Sequence, residues 1–546
     1  MSSLFDLNTS TDQLSQVNGG INRNSYEQIA PTRDVTGTTA ISNGAIHFRW
    51  NSSGMKWWCP NKSYLRMRLK LSKPPVPPAT DGAQLLTSDD VAPTMAQFAS
   101  MFQALEFRIN DKVVSKISDF VPQIDILETR VSKSKAWIDS VGASANFLNP
   151  DIRARRDDVT ADGKEGDSFF SNSTRVQMGY DAATNTVAVG ADGVITFAPN
   201  AGQALPLNAN VWAIGDQIEI DSGNAAVGTV SYRISAIINA TTLQANNIAP
   251  TAIAAGALVF RRIRALANPA LTNAKNASSY ELIWTPPLSI FKLAHALPMG
   301  KYELILSPQT ASSLPTYLVE SLSAAKTLAN FQYNIVDMYL YLNTVEGPRE
   351  DNLTYFLDLD CTSCQSEGNL QTQFRQENFD VSPSTYALTV AFQDIRAGTD
   401  TRFSPTKFKS YVAGPSGETG EDLKMNRMYV SYAGQNLPSP DADPAFQVGT
   451  AVDYTTQRYM ESQLYSGNYF DAGGAESLLD WKNRGAYYYF NWARDGNDRS
   501  IRVQVNQQFD GANVANTRVL LFSHYKQVCA VRIAEGRVVD VSVADN

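Results

Sequence analysis

Leu65-Arg66-Met67-Arg68-Leu69-Lys70-Leu71 alternates apolar and basic residues without a break. A period of two sends the four apolar side chains to one face and the three cations to the other, which predicts a strand half in a core and half in solvent. Leu105, Phe107 and Ile109 repeat the pattern with Glu106 and Arg108 between them. Asn110-Asp111 then offers a tight turn into Val113-Val114, so residues 105–114 read as a hairpin. Toward the other end, Ile501, Val503 and Val505 alternate with Arg502, Gln504 and Asn506. Arg518 to Phe522, Val531 to Ile533 and Val538 to Val543 follow as separate strands, the last after a Glu535-Gly536-Arg537 turn. Short strands parted by Asn, Asp, Gly and Pro clusters predict sandwich or barrel architecture.

The totals agree with a β-rich globular chain of two or three domains. There are 546 residues, 43% hydrophobic and 10% aromatic, enough for several cores. Only 18% are charged, as in subunits that bury much of their outside against neighbours. The net charge of −8 and the absence of a Lys/Arg-rich arm leave no footprint for coating nucleic acid directly. Four scattered cysteines, Cys59, Cys361, Cys364 and Cys529, suit a reducing compartment. No basic, apolar leader opens the chain and no run is long enough to span a membrane, so synthesis inside a cell is expected.

Helical periodicity is scarce. Pro93 to Phe102 and the amphipathic Tyr317 to Leu328 are the two candidate helices. The second sits near mid-chain and marks a division at about residue 320. Residues 177–259 lack Lys, are rich in Ala, Asn, Thr and Gly, and carry strand-like runs around Gln217–Ile220, Ser231–Ile237 and Thr242–Gln244. Arg153–Arg156 before and Arg261–Arg264 after bracket them. Such a shift predicts an inserted small β-barrel that projects outward.

A search for chemistry assigns no catalytic, cofactor-binding or metal-ligating residue. His47, His295 and His524 lie in different segments, without metal-site spacing. Cys361-Thr362-Ser363-Cys364 lacks the second pair of a zinc site and the following helix of a redox site, and reads as two ordinary thiols in a loop. Gly414, Gly417 and Gly420 lie in a polar connection without the Lys-Ser/Thr of a phosphate loop. Glu346, Glu350, Asp351, Asp358 and Asp360 are the acids a glycosidase would draw on, and exposed turn and edge carboxylates account for them as well. Trp57, Trp58 and Trp492 would serve a sugar-binding sandwich, and core packing explains them equally.

The order of segments resembles a known family. Trp58-Cys59-Pro60-Asn61-Lys62-Ser63-Tyr64-Leu65 leads into a strand, and Met101 to Asn110 follows. After the insertion come Trp284-Thr285-Pro286-Pro287-Leu288 and Leu297-Pro298-Met299-Gly300-Lys301-Tyr302. Asp337 to Leu342, Tyr432 to Pro440, Arg499 to Val503 and Val519 to Phe522 continue the series. This is similar to the double jelly-roll major capsid proteins of virophages and Polinton-like viruses. The resemblance implies an all-β chain of two consecutive jelly-roll sandwiches: an N-terminal arm over 1–44, a first jelly roll over 45–320 with the insertion 177–259, and a second over 321–546 opened by Asp337 to Leu342. It implies no enzyme and no cofactor, but pseudo-hexagonal homotrimers that tile an icosahedral shell in the virion. The chain would be made in the cytoplasm or nucleus of the host cell. The arm would run beneath the shell and order on assembly. Partners would be further copies of the chain, minor capsid or penton proteins, and a host receptor through the insertion, with no direct sequence-specific nucleic acid. The alternatives are a minor vertex or spike protein that binds carbohydrate or a receptor, and a glycosidase.

Overall fold

In the computed structural model the described residues are 25–38, 40–51, 56–77, 92–133, 279–298, 300–320, 325–346, 353–368, 375–401, 424–432, 486–491, 502–510, 516–535 and 537–545, with the strands of the insertion and a few shorter pieces. Lys56–Ser72 is a continuous strand with Leu65, Met67, Leu69 and Leu71 buried, as the alternation requires. Its outward cations meet carboxylates of the flanking strands: Arg66 Nε donates to Glu281 at 2.5 Å, and Arg68 Nε to Asp337 at 2.6 Å. The sheet runs Ser25–Ile29, Gln332–Glu346, Lys56–Ser72, Tyr280–Trp284. A second sheet runs Ile46–Asn51, Lys301–Pro308, Phe102–Ile109, Lys112–Ile117. The last two strands form the expected hairpin, with Asn110 at φ 48° and Asp111 at φ 66°, both in the left-handed region that a two-residue turn demands.

Aromatic rings join the two sheets. Trp58 from the first lies 5.3 Å, centroid to centroid, from both Phe107 and Tyr302 of the second, and 5.1 Å from Trp50. Its indole N–H donates to Ser63 Oγ at 2.9 Å, so the polar atom is satisfied inside the core. The Leu-Pro-x-Gly segment has a role here: Leu297 exchanges both backbone hydrogen bonds with Trp58, at 2.7 and 2.8 Å.

Among the described residues the second sandwich has eight strands of the frame, with Arg537–Asp545 added as a further strand along Thr517–Ala534. In chain order the eight are Leu353–Glu367, Arg375–Asp380, Thr385–Asp394, Lys424–Tyr432, Gln435–Leu437, Tyr487–Asn491, Arg502–Asp510 and Thr517–Ala534. Counted one to eight, they form the sheets 1-8-3-6 and 2-7-4-5, which is jelly-roll topology. The first sandwich keeps the same frame: Ile46–Asn51, Lys301–Pro308 and Phe102–Ile109 take the places 1-8-3, and Lys56–Ser72 beside Tyr280–Trp284 takes 2-7. The chain is therefore all-β with two jelly-roll sandwiches. The insertion is a separate sheet of seven strands between Arg175 and Arg262, in the order Arg175–Gln177, Leu258–Arg262, Gln217–Asp221, Thr229–Asn239, Thr242–Ala245, Val194–Pro199, Asn185–Val189.

Several expectations differ from the structure. Gln332–Glu346 does not open the second jelly roll. It pairs along Lys56–Ser72, from Gln332 opposite Ser72 to Glu346 opposite Lys56, so the change of sandwich falls between Glu346 and Leu353 rather than at 320. The helix expected over 317–328 covers only Leu314–Leu318, because Val319–Glu320 is drawn into pairing with Ala92–Pro93. Within Pro93 to Phe102 only Gln97–Ser100 is helical. The arm is not separate as far as it is described. Ser25–Ile29 adds to the first sheet, Val35 and Ile41 are buried, and residues 1–24 lie outside the described residues. Arg33 holds that turn by donating to the carbonyls of Ala40, Ile41 and Ala45. The strands expected around Arg518 and Val531 are one strand, Thr517–Ala534, paired from Val519 to Ile533 with Leu353–Glu367 on one side.

Trp58→Ala is expected to lower the unfolding free energy by about 3–5 kcal/mol in urea, since it leaves a cavity among four rings. A loss below about 1 kcal/mol would mean that the ring does not join the sheets.

Candidate functional site

A cluster of buried polar side chains lies where the two sandwiches meet. At its centre is the helix Val121–Ser132, which the sequence reading missed. Val121, Pro122, Gln123, Ile124, Asp125, Ile126, Leu127 and Arg130 are all buried, so more than one face of the helix is covered. Toward the first sandwich, Trp284 Nε1 donates to Asp125 Oδ1 at 2.9 Å, and Lys292 Nζ bonds Glu128 at 2.6 Å. Toward the second, Gln123 Nε2 donates to Gln393 Oε1 at 3.4 Å, and the Arg130 guanidinium lies over the rings of Tyr487 at 4.8 Å and Phe408 at 5.5 Å.

Further contacts continue the seam at both ends. Asn110 Nδ2 donates to the Val538 carbonyl at 2.7 Å, and Lys112 Nζ reaches both the Val541 carbonyl at 2.7 Å and Asp540 at 2.9 Å. Trp57 and Tyr355 meet edge to face at 6.5 Å. Thr316 Oγ1 donates to the Gly398 carbonyl at 2.6 Å, and the Lys326 amide to Thr401 Oγ1 at 2.7 Å. Gly398 sits at φ +85° against Tyr317, where a Cβ would come within 2.5 Å of the phenol oxygen.

Burial sets the electrostatics here. It raises the Asp125 carboxyl to about 7, opposed by the Trp284 hydrogen bond, with Glu128 pushing in the same direction. It lowers the His524 imidazole to about 4, helped by Lys292 and opposed by Asp360. The thiols of Cys361, Cys364 and Cys529 are pushed up by burial, which keeps them as inert thiols. Asp394 goes the other way despite partial burial: Arg396 donates through its side chain and its amide, and Lys409 lies 3.5 Å away.

The sequence candidates are dispersed. His47 bonds Glu303 at 2.9 Å in the first sandwich, His524 lies in the second, and no cluster of metal ligands occurs among the described residues. Cys361 and Cys364 are on the strand Leu353–Glu367 and buried, not in a loop. Asp358 and Asp360 point to solvent, and Asp360 is bonded to Lys526 at 2.7 Å. Glu350, Asp351, Trp492 and the glycines 414, 417 and 420 lie outside the described residues. Trp57 and Trp58 are buried, so neither offers a sugar platform. Tyr64 and Tyr341 stack on one another at 5.3 Å and 13°, and Tyr26 adjoins Tyr64 at 5.9 Å, tilted by 54°.

No protein-family profile and no curated protein matches the chain. Among solved structures it is similar to the Sputnik virophage particle seen by cryo-EM, at 10% identity and a TM-score of 0.46 over 96% of this chain and 89% of that one. It is also similar to the mavirus major capsid protein, at 11% identity and 0.40 over 95% and 90%, and to the PBCV-1 virus capsid, at 8% and 0.41 over 96% and 97%.

Two substitutions test the seam. Gly398→Ala is expected to cost about 1–3 kcal/mol, from overpacking against Tyr317 and from the left-handed backbone; an unchanged urea midpoint would contradict the tight contact. Asp125→Asn tests the buried carboxyl. Its folded pKa is raised, so its contribution is fully present below about pH 4 and is lost as pH rises through about 7. The variant should match the native protein in acid and exceed it by on the order of 2–4 kcal/mol above neutrality. Parallel stability curves would show that Asp125 is not desolvated.

Proposed function

We propose that the chain is the major shell subunit of an icosahedral virus, assembling as homotrimers, and not an enzyme. The observation that carries this reading is the repetition of one jelly-roll frame in two sandwiches fixed to each other by a buried helix. Three such chains around an axis present six similar lobes, so a trimer fills a near-hexagonal outline and closes its own interfaces. Weaker contacts along the rims would then tile the trimers into a shell. The low charge content suits such repeated burial, and the net charge of −8 leaves genome packing to other components. Minor capsid or penton proteins would close the vertices. The sheet between Arg175 and Arg262 would face outward and carry receptor contact. In an infected cell the chain would end in the virion.

Light scattering on the purified chain is expected to give three times 59.8 kDa, and negative-stain images hexagonal outlines. A stable monomer at every salt and pH would overturn the reading. Deleting residues 177–259 should leave that mass per trimer reduced only by the deleted residues while abolishing attachment to host cells. Unchanged attachment would remove the receptor role alone.

A further inference from the structure

The inserted sheet gathers arginines from separate parts of the chain into one row. Gln217 of the strand Gln217–Asp221 is the register partner of Arg233 in Thr229–Asn239 and of Arg262 in Leu258–Arg262. Arg262 is in turn the partner of Arg175 in Arg175–Gln177. Across four neighbouring strands the row therefore reads Arg233, Gln217, Arg262, Arg175. Directly opposed positions share one face of a sheet, and at the ordinary strand spacing the row spans about 14 Å. The adjoining row is Tyr232, Ile218, Arg261, Val176, and Tyr232 is fully buried. Val230, Ile220 and Val259 follow on that same face, which makes it the apolar one. By alternation the arginine row belongs to the opposite face, with Ser231, Glu219, Phe260 and Gln177 as the next row.

Such a row is costly by itself. Like charges on directly opposed residues destabilise a strand pair, and Arg262 is directly opposed to Arg175. The row contains no carboxylate. Glu219 and Asp221 are the only acids of these four strands, and both lie in Gln217–Asp221. Glu219 is diagonal to Arg233 and to Arg262 but two strands away from Arg175, so one carboxylate stands beside three cations. An anion laid across the row removes the repulsion. Guanidinium is the side-chain group that suits this, because its planar fork matches oxyanions with two hydrogen bonds at once.

We propose that the row Arg233, Gln217, Arg262, Arg175 binds a sulfated glycan chain, and that this is the contact through which the insertion engages a host surface. The second half rests on the reading of the insertion as the outward, receptor-binding part of the subunit. A row three strand spacings long suits a polymer with repeated anionic groups better than a single ion. A glycan is favoured over nucleic acid by that outward placement. The net charge of −8 points the same way, since it denies the chain the broad positive field that drives nucleic-acid binding.

The test is binding of the full chain to immobilised heparin, with desulfated heparin and single-stranded DNA as soluble competitors. The native protein is compared with the triple variant Arg175→Gln, Arg233→Gln, Arg262→Gln. A charge-matched control replaces Arg502, Arg532 and Arg537, all exposed in the second sandwich, by Gln. The native protein should bind at low salt and weaken as salt rises. Each arginine of the row should be worth roughly tenfold in affinity, the triple variant should lose binding, and the control should match the native protein. Failure of the native protein to bind heparin would overturn the site, as would equal binding by the triple variant or an equal loss in the control. Competition by DNA but not by soluble heparin would assign the row to nucleic acid and overturn the glycan. Should the triple variant not fold, Arg175→Gln alone decides, and an unchanged affinity there would overturn the row. Attachment to host cells is scored separately: heparin binding lost with attachment unchanged would overturn the host contact and leave the glycan site standing.

Discussion

A helix covered on more than one side is the constraint on which the rest of the chain depends. Val121–Ser132 carries Gln123, Asp125 and Arg130 into a dry environment, where Asp125 is bonded from the first sandwich while the Gln123 amide nitrogen and the Arg130 guanidinium find their contacts in the second. Trp284 from the first sandwich satisfies Asp125, while Gln393, Tyr487 and Phe408 from the second receive Gln123 and Arg130. Removing either partner leaves a buried polar or charged group exposed to nothing that can solvate it, and such a loss exceeds the net value of the bond itself. The helix thus makes the relative position of two domains a matter of hydrogen-bond satisfaction rather than of surface fit alone. Under the proposed shell role, two lobes held at one fixed spacing would let copies tile.

The strand order explains how the two sandwiches come to lie side by side. Lys112–Ile117 is the last strand of one sheet and Leu353–Glu367 the first of another. The hairpin turn at Asn110 and Lys112 fastens the first to the strand Arg537–Asp545. The outward faces are treated differently. On the Lys56–Ser72 sheet, cations are paired with Glu281 and Asp337 across neighbouring strands, so the face is polar without a large net field.

Much of the fold was legible in the sequence because its signals are local. The alternation from Leu65 to Leu71 and the Asn110-Asp111 turn specify their own strands and register. The helix Val121–Ser132 was missed for a physical reason: its polar residues break the pattern of an amphipathic surface helix, and their burial is decided by Trp284, Gln393 and Tyr487 far along the chain. The strand Thr517–Ala534 read as two because His524-Tyr525-Lys526-Gln527 interrupts its apolar run, although backbone pairing continues through it. Gln332–Glu346 looked like the start of a second domain because strand sequences do not name their partners; pairing over so long a distance is settled by the opposing Lys56–Ser72. The seam was the least legible part, since it joins residues as distant as Asn110 and Val538.

Equilibrium unfolding in urea, followed separately in each sandwich, tests most directly whether the seam makes them one body. Trp58 and Trp481 are buried in the first and second halves, and fluorescence of single-tryptophan variants reports on each. Coincident transitions with one midpoint are the result expected of two sandwiches locked by a shared helix. Two separate midpoints, with one sandwich intact while the other is unfolded, would contradict it.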